Sequence, residues 1–436
     1  MNAYLKALSM VWQKRYITWV QGLAWVQNRD VLLVTLIGVL LGFTIDGGIF
    51  SVIFNLYLLR LGFAPDAIGR INSAGDLIFA IVAIPVGMLG GYWMPRTVMI
   101  WGGALTILGA IATAAVGWLP HPFWQVGLMA GKSLLNIGLA GFYVNVVPFV
   151  SNRTSGHQRQ QVFSAQSALN SAGGFFGALL GGALPGWYVR WAGGSLTEAQ
   201  PYNVPLWIVV IAALLMFILL LLTSRVKEPA PVETHPSERL GAPNAAQGFW
   251  ALFIVMTLVR FFQVGGLSAV SSFFNVYLDQ KLHVDAALIG QIIAAARLMT
   301  IPAVLAVPWL SRRFPRQWVS VVVAMGAAIC LLPMAFLPVW GVVGSSYVLT
   351  QVLFSMRYSS YIVYLMELTP HQQRGIMTGA GEMAAGLSVA VAAFVGGYLI
   401  ENAGYTPLFL VGAASIVLGT VLFAGYAWWH GKATTR

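Results

Sequence analysis

Seven ionisable side chains interrupt the apolar runs of this chain: Asp46, Asp76, Lys132, Arg260, Arg297, Arg357 and Glu382. A carboxylate in a partly dry site can take up and release protons near neutral pH. A buried Lys or Arg must find a counter-charge. Proton exchange and ion pairing are therefore the chemistries these residues offer. Other chemistry lacks its residues. The six histidines (His121, His157, His235, His283, His371 and His430) are scattered through loops and termini, and Cys330 is the only cysteine. No metal-ligand or nucleophile constellation results, no intramolecular disulfide is possible, and no cofactor or catalytic residue is expected. No G-x-x-x-x-G-K-[ST] loop is present for direct ATP drive.

The elements that carry these charges are membrane spans. The chain is 436 residues long, 58% hydrophobic and only 8% charged, against about 25% charged in soluble domains. Twelve apolar runs appear, near 31–59, 67–93, 97–119, 122–150, 160–189, 204–224, 249–278, 286–310, 317–338, 341–366, 373–400 and 405–429. Each is long enough to cross a hydrocarbon core of about 30 Å as a helix. This predicts an all-α polytopic membrane protein. Facing lipid, each of the seven charges would cost roughly 2.5–3.5 kcal/mol. The sum, on the order of 20 kcal/mol, exceeds a domain's usual net stability of ~5–15 kcal/mol. The charges must therefore face one another or a wet cavity. The third, sixth, ninth and twelfth runs carry none in their interiors.

The net charge of +11 follows topology and gives no reason to expect nucleic acid. With alternating spans, sixteen Lys and Arg fall on one side, and only Arg60, Arg190 and Lys281 on the other. The positive-inside rule then predicts cytoplasmic termini. Residues 1–30 suit a helix lying at the cytoplasmic interface, or an extension of the first span. A polar stretch at 226–247 with four prolines reads as a linker. It divides a first bundle (31–225) from a second (248–436).

The two bundles repeat each other. "FNLYL" (54–58) recurs as "FNVYL" (274–278), Ile68-Gly69 as Ile289-Gly290, and Gly181-Gly182 as Gly396-Gly397. "MPR" (94–96) recurs as "FPR" (314–316). Six spans per repeat makes the repeats parallel, an arrangement that places a substrate site at mid-depth between them.

These features resemble the major facilitator superfamily. Its loop signature G-x-L-x-D-R-x-G-R-R is met by Gly87, Leu89 and Arg96, with Gly91 and Tyr92 in place of Asp and Arg. The second copy keeps Leu310, Arg313 and Arg316 but has Arg312 at the acidic position. The stretch "NSAGGFFGALLGG" (170–182) resembles the fifth-helix signature of proton-coupled exporters, with Gly173, Gly177, Gly181 and Gly182 in register and Ala178 replacing Pro. Any tightly packed membrane helix could carry the same small-residue stripe. Lys132 and Gly138 weakly match an antiporter motif of the fourth helix.

The resemblance implies twelve helices in two six-helix bundles, with spans three, six, nine and twelve at the periphery of a central cavity. It implies a secondary transporter, and in the exporter branch a proton-coupled antiporter, located in a plasma membrane and monomeric. Asp46, followed by Gly47-Gly48 in uncrowded backbone, is the first candidate for proton coupling. Lys132 could balance Asp46 or Asp76, and Arg357 could pair with Glu382. Each charge could equally be a structural ion pair. Asn72, Asn136, Gln166, Gln263 and Gln351 are candidate cavity groups. The rival expectations are an importer or uniporter of a small anionic metabolite, since basic residues outnumber acidic ones four to three in the spans, and a lipid-modifying membrane enzyme.

Overall fold

Residues 24–154, 156–225, 243–369 and 374–434 are described by a computed structural model. Most of the expected interfacial segment (1–23) and of the linker (226–242) lies outside the described residues. Each apolar run becomes a helix, because hydrocarbon offers a backbone no partners but its own. Span one is Arg29–Thr44 continued by Ile49–Arg60; span two is Pro65–Trp93, three Pro95–Ala114, four Trp124–Ser151, five Gly156–Ala192 and six Gln200–Leu221. Spans seven to twelve are Pro243–Leu282, Ala286–Arg313, Arg316–Phe336, Trp340–Leu368, Arg374–Ala403 and Tyr405–Thr434. Span seven starts inside the expected linker. Pro243 permits this, since a proline at the first helical position loses no helical hydrogen bond.

Ten of these spans are long and apolar enough to cross a membrane; spans five and ten fall short. Span five lines the central cavity with Ser and Asn, and span ten with Ser, Gln and Tyr.

Span one is broken at its middle, where a single run was expected. Residues 45–48 leave the helix, and Gly47 takes φ +77°, a conformation that favours glycine. Ser51 bridges the break: its hydroxyl donates to the Ile45 carbonyl (2.6 Å) and accepts from the Gly47 amide (3.1 Å).

The packing repeats with a shift of six spans. Span one packs on five and six, as seven packs on eleven and twelve; two and three pack on four, as eight and nine pack on ten; three packs on six, as nine packs on twelve. The halves meet chiefly through span two on eleven and span five on eight.

The glycine stripe of span five packs against span one. A Cβ on Gly173 would meet the Phe43 amide at 3.0 Å, one on Gly177 would overlap the Phe43 carbonyl, and one on Gly181 would meet the Ile49 Cα at 3.0 Å. Close backbone approach of this kind is how helices associate in lipid. Gly177→Ala is therefore expected to lower stability by about 1–3 kcal/mol, read as a lower apparent Tm of the purified protein. Gly186→Ala, where a Cβ would meet nothing within 4 Å, should leave the Tm unchanged.

The face where span one begins and span twelve ends, the termini face, is clasped within the first half. Arg153 donates to Asp30 (3.1 Å), and the Ser224 amide donates to the other Asp30 oxygen (2.8 Å). The Arg153 guanidinium lies 3.7 Å over the Phe149 ring. Arg96, from the loop signature, donates to the Thr223 hydroxyl (2.9 Å) and the Leu221 carbonyl (3.0 Å) at the end of span six. Elsewhere in that signature, a Cβ on Gly87 would press on Val144 at 3.1 Å, and Leu89 is exposed. In the second copy, Arg313 stacks over Trp309, Leu310 caps the helix end by accepting from the Phe314 amide, and Arg316 opens span nine.

Candidate functional site

The halves close against each other at the face opposite the termini, through the motifs that repeat. Asn55 and Asn275, the asparagines of "FNLYL" and "FNVYL", cross the boundary in both directions. Asn55 donates to the Ser272 carbonyl (2.6 Å), and Asn275 donates to the Val52 carbonyl (2.9 Å). A Cβ on Gly69 would meet the Gly397 Cα at 3.1 Å, and one on Gly182 would meet the Gly290 Cα at 2.9 Å. Each Ile-Gly of one half thus receives the Gly-Gly of the other. Beyond them, the Arg60 guanidinium grips the Asp279 carboxylate at 2.6 and 2.7 Å.

Above this floor lies a cavity of about 1150 Å³. Its walls come from spans one, two, four, five, seven, eight and ten, and they extend toward the termini face as far as Phe163 and Leu305. Among the described residues, spans three, six, nine and twelve contribute none to the lining, in keeping with their uncharged interiors; nor does span eleven.

Lys132 pairs with Asp76 (3.5 Å) and donates to the Asn72 side chain (2.5 Å). Asn136 donates to the same Asp76 oxygen (3.1 Å). Asn72 donates to Asn55 (2.9 Å), so this buried network continues into the floor between the halves. The alternative of Lys132 balancing Asp46 does not occur. The Asp46 carboxylate instead accepts from Tyr143 and Asn170.

The expected Arg357–Glu382 pair is also absent. Glu382 accepts from Arg260 of span seven (3.0 Å). Similar depth does not bring the two residues together, because span ten packs on eight and nine and span eleven on two and seven. Arg357 is wholly buried, donates to Gln263, and stacks 4.3 Å from the Phe354 ring centre. Gln263 in turn donates to Thr420 (3.1 Å). Gln166 lies 3.4 Å from the Thr35 hydroxyl, while Gln351 lines the cavity and donates to Tyr347 (2.9 Å).

Asp46 sits in the break of span one. One of its oxygens accepts from the Tyr143 hydroxyl of span four (2.6 Å) and from Asn170 of span five (2.9 Å). The backbone beside it is crowded, contrary to the expectation. A Cβ on Gly47 would overlap the Arg297 guanidinium of span eight, and one on Gly48 would overlap the Phe43 carbonyl. The two glycines admit close neighbours where open space was expected. Tyr143, Arg60 and Asp279 were not singled out from the sequence. The asparagines of the floor were visible there only as repeated letters.

The profile of the Major Facilitator Superfamily matches residues 35–380, and the chain belongs to that superfamily. It is a multi-pass membrane protein of the transporter class. Solved structures share its fold at low identity. A mutant of the nucleoside transporter NupG superposes with a TM-score of 0.69 at 14% identity, covering 91% of this chain and 99% of that one. The xylose transporter XylE from E. coli, in an inward open conformation, gives 0.67 at 16% identity, with 90% and 94% covered. A bacterial homolog of the human lysosomal transporter Spinster, inward-facing and occupied, gives 0.64 at 18% identity, with 94% and 97% covered. No curated protein matches the chain.

Proposed function

We propose that this protein is a proton-coupled secondary transporter of a small amphipathic molecule, working by alternating access, with Asp46 taking the coupling proton. The observation that carries this reading is the placement of Asp46. Its carboxylate lies at the discontinuity of a cavity-lining span and touches spans four and five of its own half. Its neighbour Gly47 receives Arg297 from the other half. A change of charge there is felt by both halves, as coupling between proton and cargo requires. Sixteen basic residues assigned to the termini face support a cytoplasmic location for it by the positive-inside rule, and the cavity then faces inward. One chain forms the whole cavity, in keeping with a monomer.

Export rests on the span-five glycines alone, and these pack span five on span one whatever the direction of transport. Uptake of an anionic molecule is the second reading. It is favoured by a cavity lined with Lys132, Arg260 and Arg297 and, among the described residues, by no acidic one. In proteoliposomes, an imposed pH gradient should drive accumulation of a transported solute. Asp46→Asn should abolish that accumulation while solute exchange without a gradient persists. Gradient-driven accumulation by the variant would refute the assignment.

A further inference from the structure

Among the three cations lining the cavity, Lys132 is held by Asp76 and Arg260 by Glu382. Arg297 has neither an ion pair nor a side-chain hydrogen bond among the described residues. Its position is nevertheless closely defined. The guanidinium fills the space that a side chain at Gly47 would need, and its Cδ lies 3.5 Å from where a Cβ of Gly174 would stand. No carboxylate among the described residues lies within ion-pairing distance of this guanidinium, so the slot can take a charge that arrives. Around it the walls are aromatic: Tyr347, stacked at 3.7 Å on Phe274, and the stacked pair Phe50 and Phe54.

We propose that the cargo is a small organic monoanion of carboxylate type with an apolar or aromatic body, that its charged group binds Arg297, and that it binds together with a proton on Asp46. This rests on the proton-coupled reading above and names the substrate class of that cavity. A planar guanidinium fork matches a carboxylate, and one unpaired cation among those lining the cavity calls for a single negative charge.

The coupling follows from the neighbours of Asp46. Among the described residues, the titratable and charged groups facing it are Tyr143 of span four and Arg297 of span eight; spans five and six, packed against span one, present none. While ionised, Asp46 supplies negative charge to Arg297 and competes with the cargo. Once protonated, it leaves the guanidinium to the incoming anion. Linkage is reciprocal, so a bound anion favours the protonated carboxylate. Anion and proton therefore travel in the same direction. A cationic cargo would reverse the sign and exchange for the proton.

Three probes with one aromatic body test the charge: indole-3-acetate (anion), tryptophol (neutral) and tryptamine (cation). They are added at millimolar concentration to the purified full-length protein, and the apparent Tm is followed, since a ligand that binds the folded state raises it. Indole-3-acetate should raise the Tm, while tryptamine does not. Arg297→Gln should weaken the anion's effect about tenfold or more. Asp46→Asn, which holds this position uncharged, should bind the anion at least as tightly as the wild type. The proposal falls if indole-3-acetate gives no shift, if tryptamine matches it, if Arg297→Gln binds as the wild type does, or if Asp46→Asn binds the anion more weakly than the wild type. No gradient enters this assay, so a failure here is distinct from failure of gradient-driven transport.

Discussion

Asp30→Ala is expected to destabilise the first half by about 3–5 kcal/mol, because it breaks a buried ion pair and removes the acceptor of the Ser224 amide. The side chains of Asp30 and Arg153 are only 8% and 6% exposed. Asp30 also accepts from both the amide and the hydroxyl of Ser224, so one carboxylate ties the start of span one to the ends of spans four and six. The measurement is the apparent unfolding midpoint of the purified protein. Arg153→Met alone should also destabilise. The double variant should lose clearly less than the sum of the two, as residues sharing one interaction do. Additive losses would show that the pair does not act as a unit.

Gly182→Val should act on the transport cycle and leave each half folded. Gly182 and Gly290 meet backbone to backbone, and an added side chain has only main-chain atoms to push: the Gly290 Cα at 2.9 Å and the Ala286 carbonyl at 2.5 Å. A penalty of about 3 kcal/mol on that contact, the upper end for overpacking, shifts the balance between the two open states on the order of a hundredfold. The cavity should then open at the face opposite the termini. With Cys330→Ser removing the single cysteine, Ser272→Cys at the cavity wall reports this through an impermeant maleimide. Labelling from that face should rise and transport should fall. Unchanged labelling with normal transport would show that the glycine pair does not seal the molecule.

The helices, the halves and the uncharged periphery were legible in the sequence because length, hydropathy and repetition are properties of the chain itself. The repeated motifs carried more than was read from them. Asn55 and Asn275, Gly69 and Gly290, and Gly182 and Gly397 recur because a two-fold arrangement brings each into contact with the other half. Pairings between charges were less accessible. Arg357 and Glu382 share a depth, yet depth along a helix does not say which neighbour it packs against, and only the bundle order separates span ten from span eleven. Gly47 shows a related limit. A glycine signals either open space or close approach, and the choice depends on Arg297, 250 residues further along the chain.

The polar faces of spans five and ten have a consequence for biosynthesis. A segment whose hydropathy falls short of the other ten gains too little from lipid to leave the insertion machinery alone. Span five must enter the bilayer against span one, whose Phe43 backbone its glycines already fit, and span ten against spans eight and nine. The surfaces that make the cavity wet thus also set the order in which the newly made chain assembles.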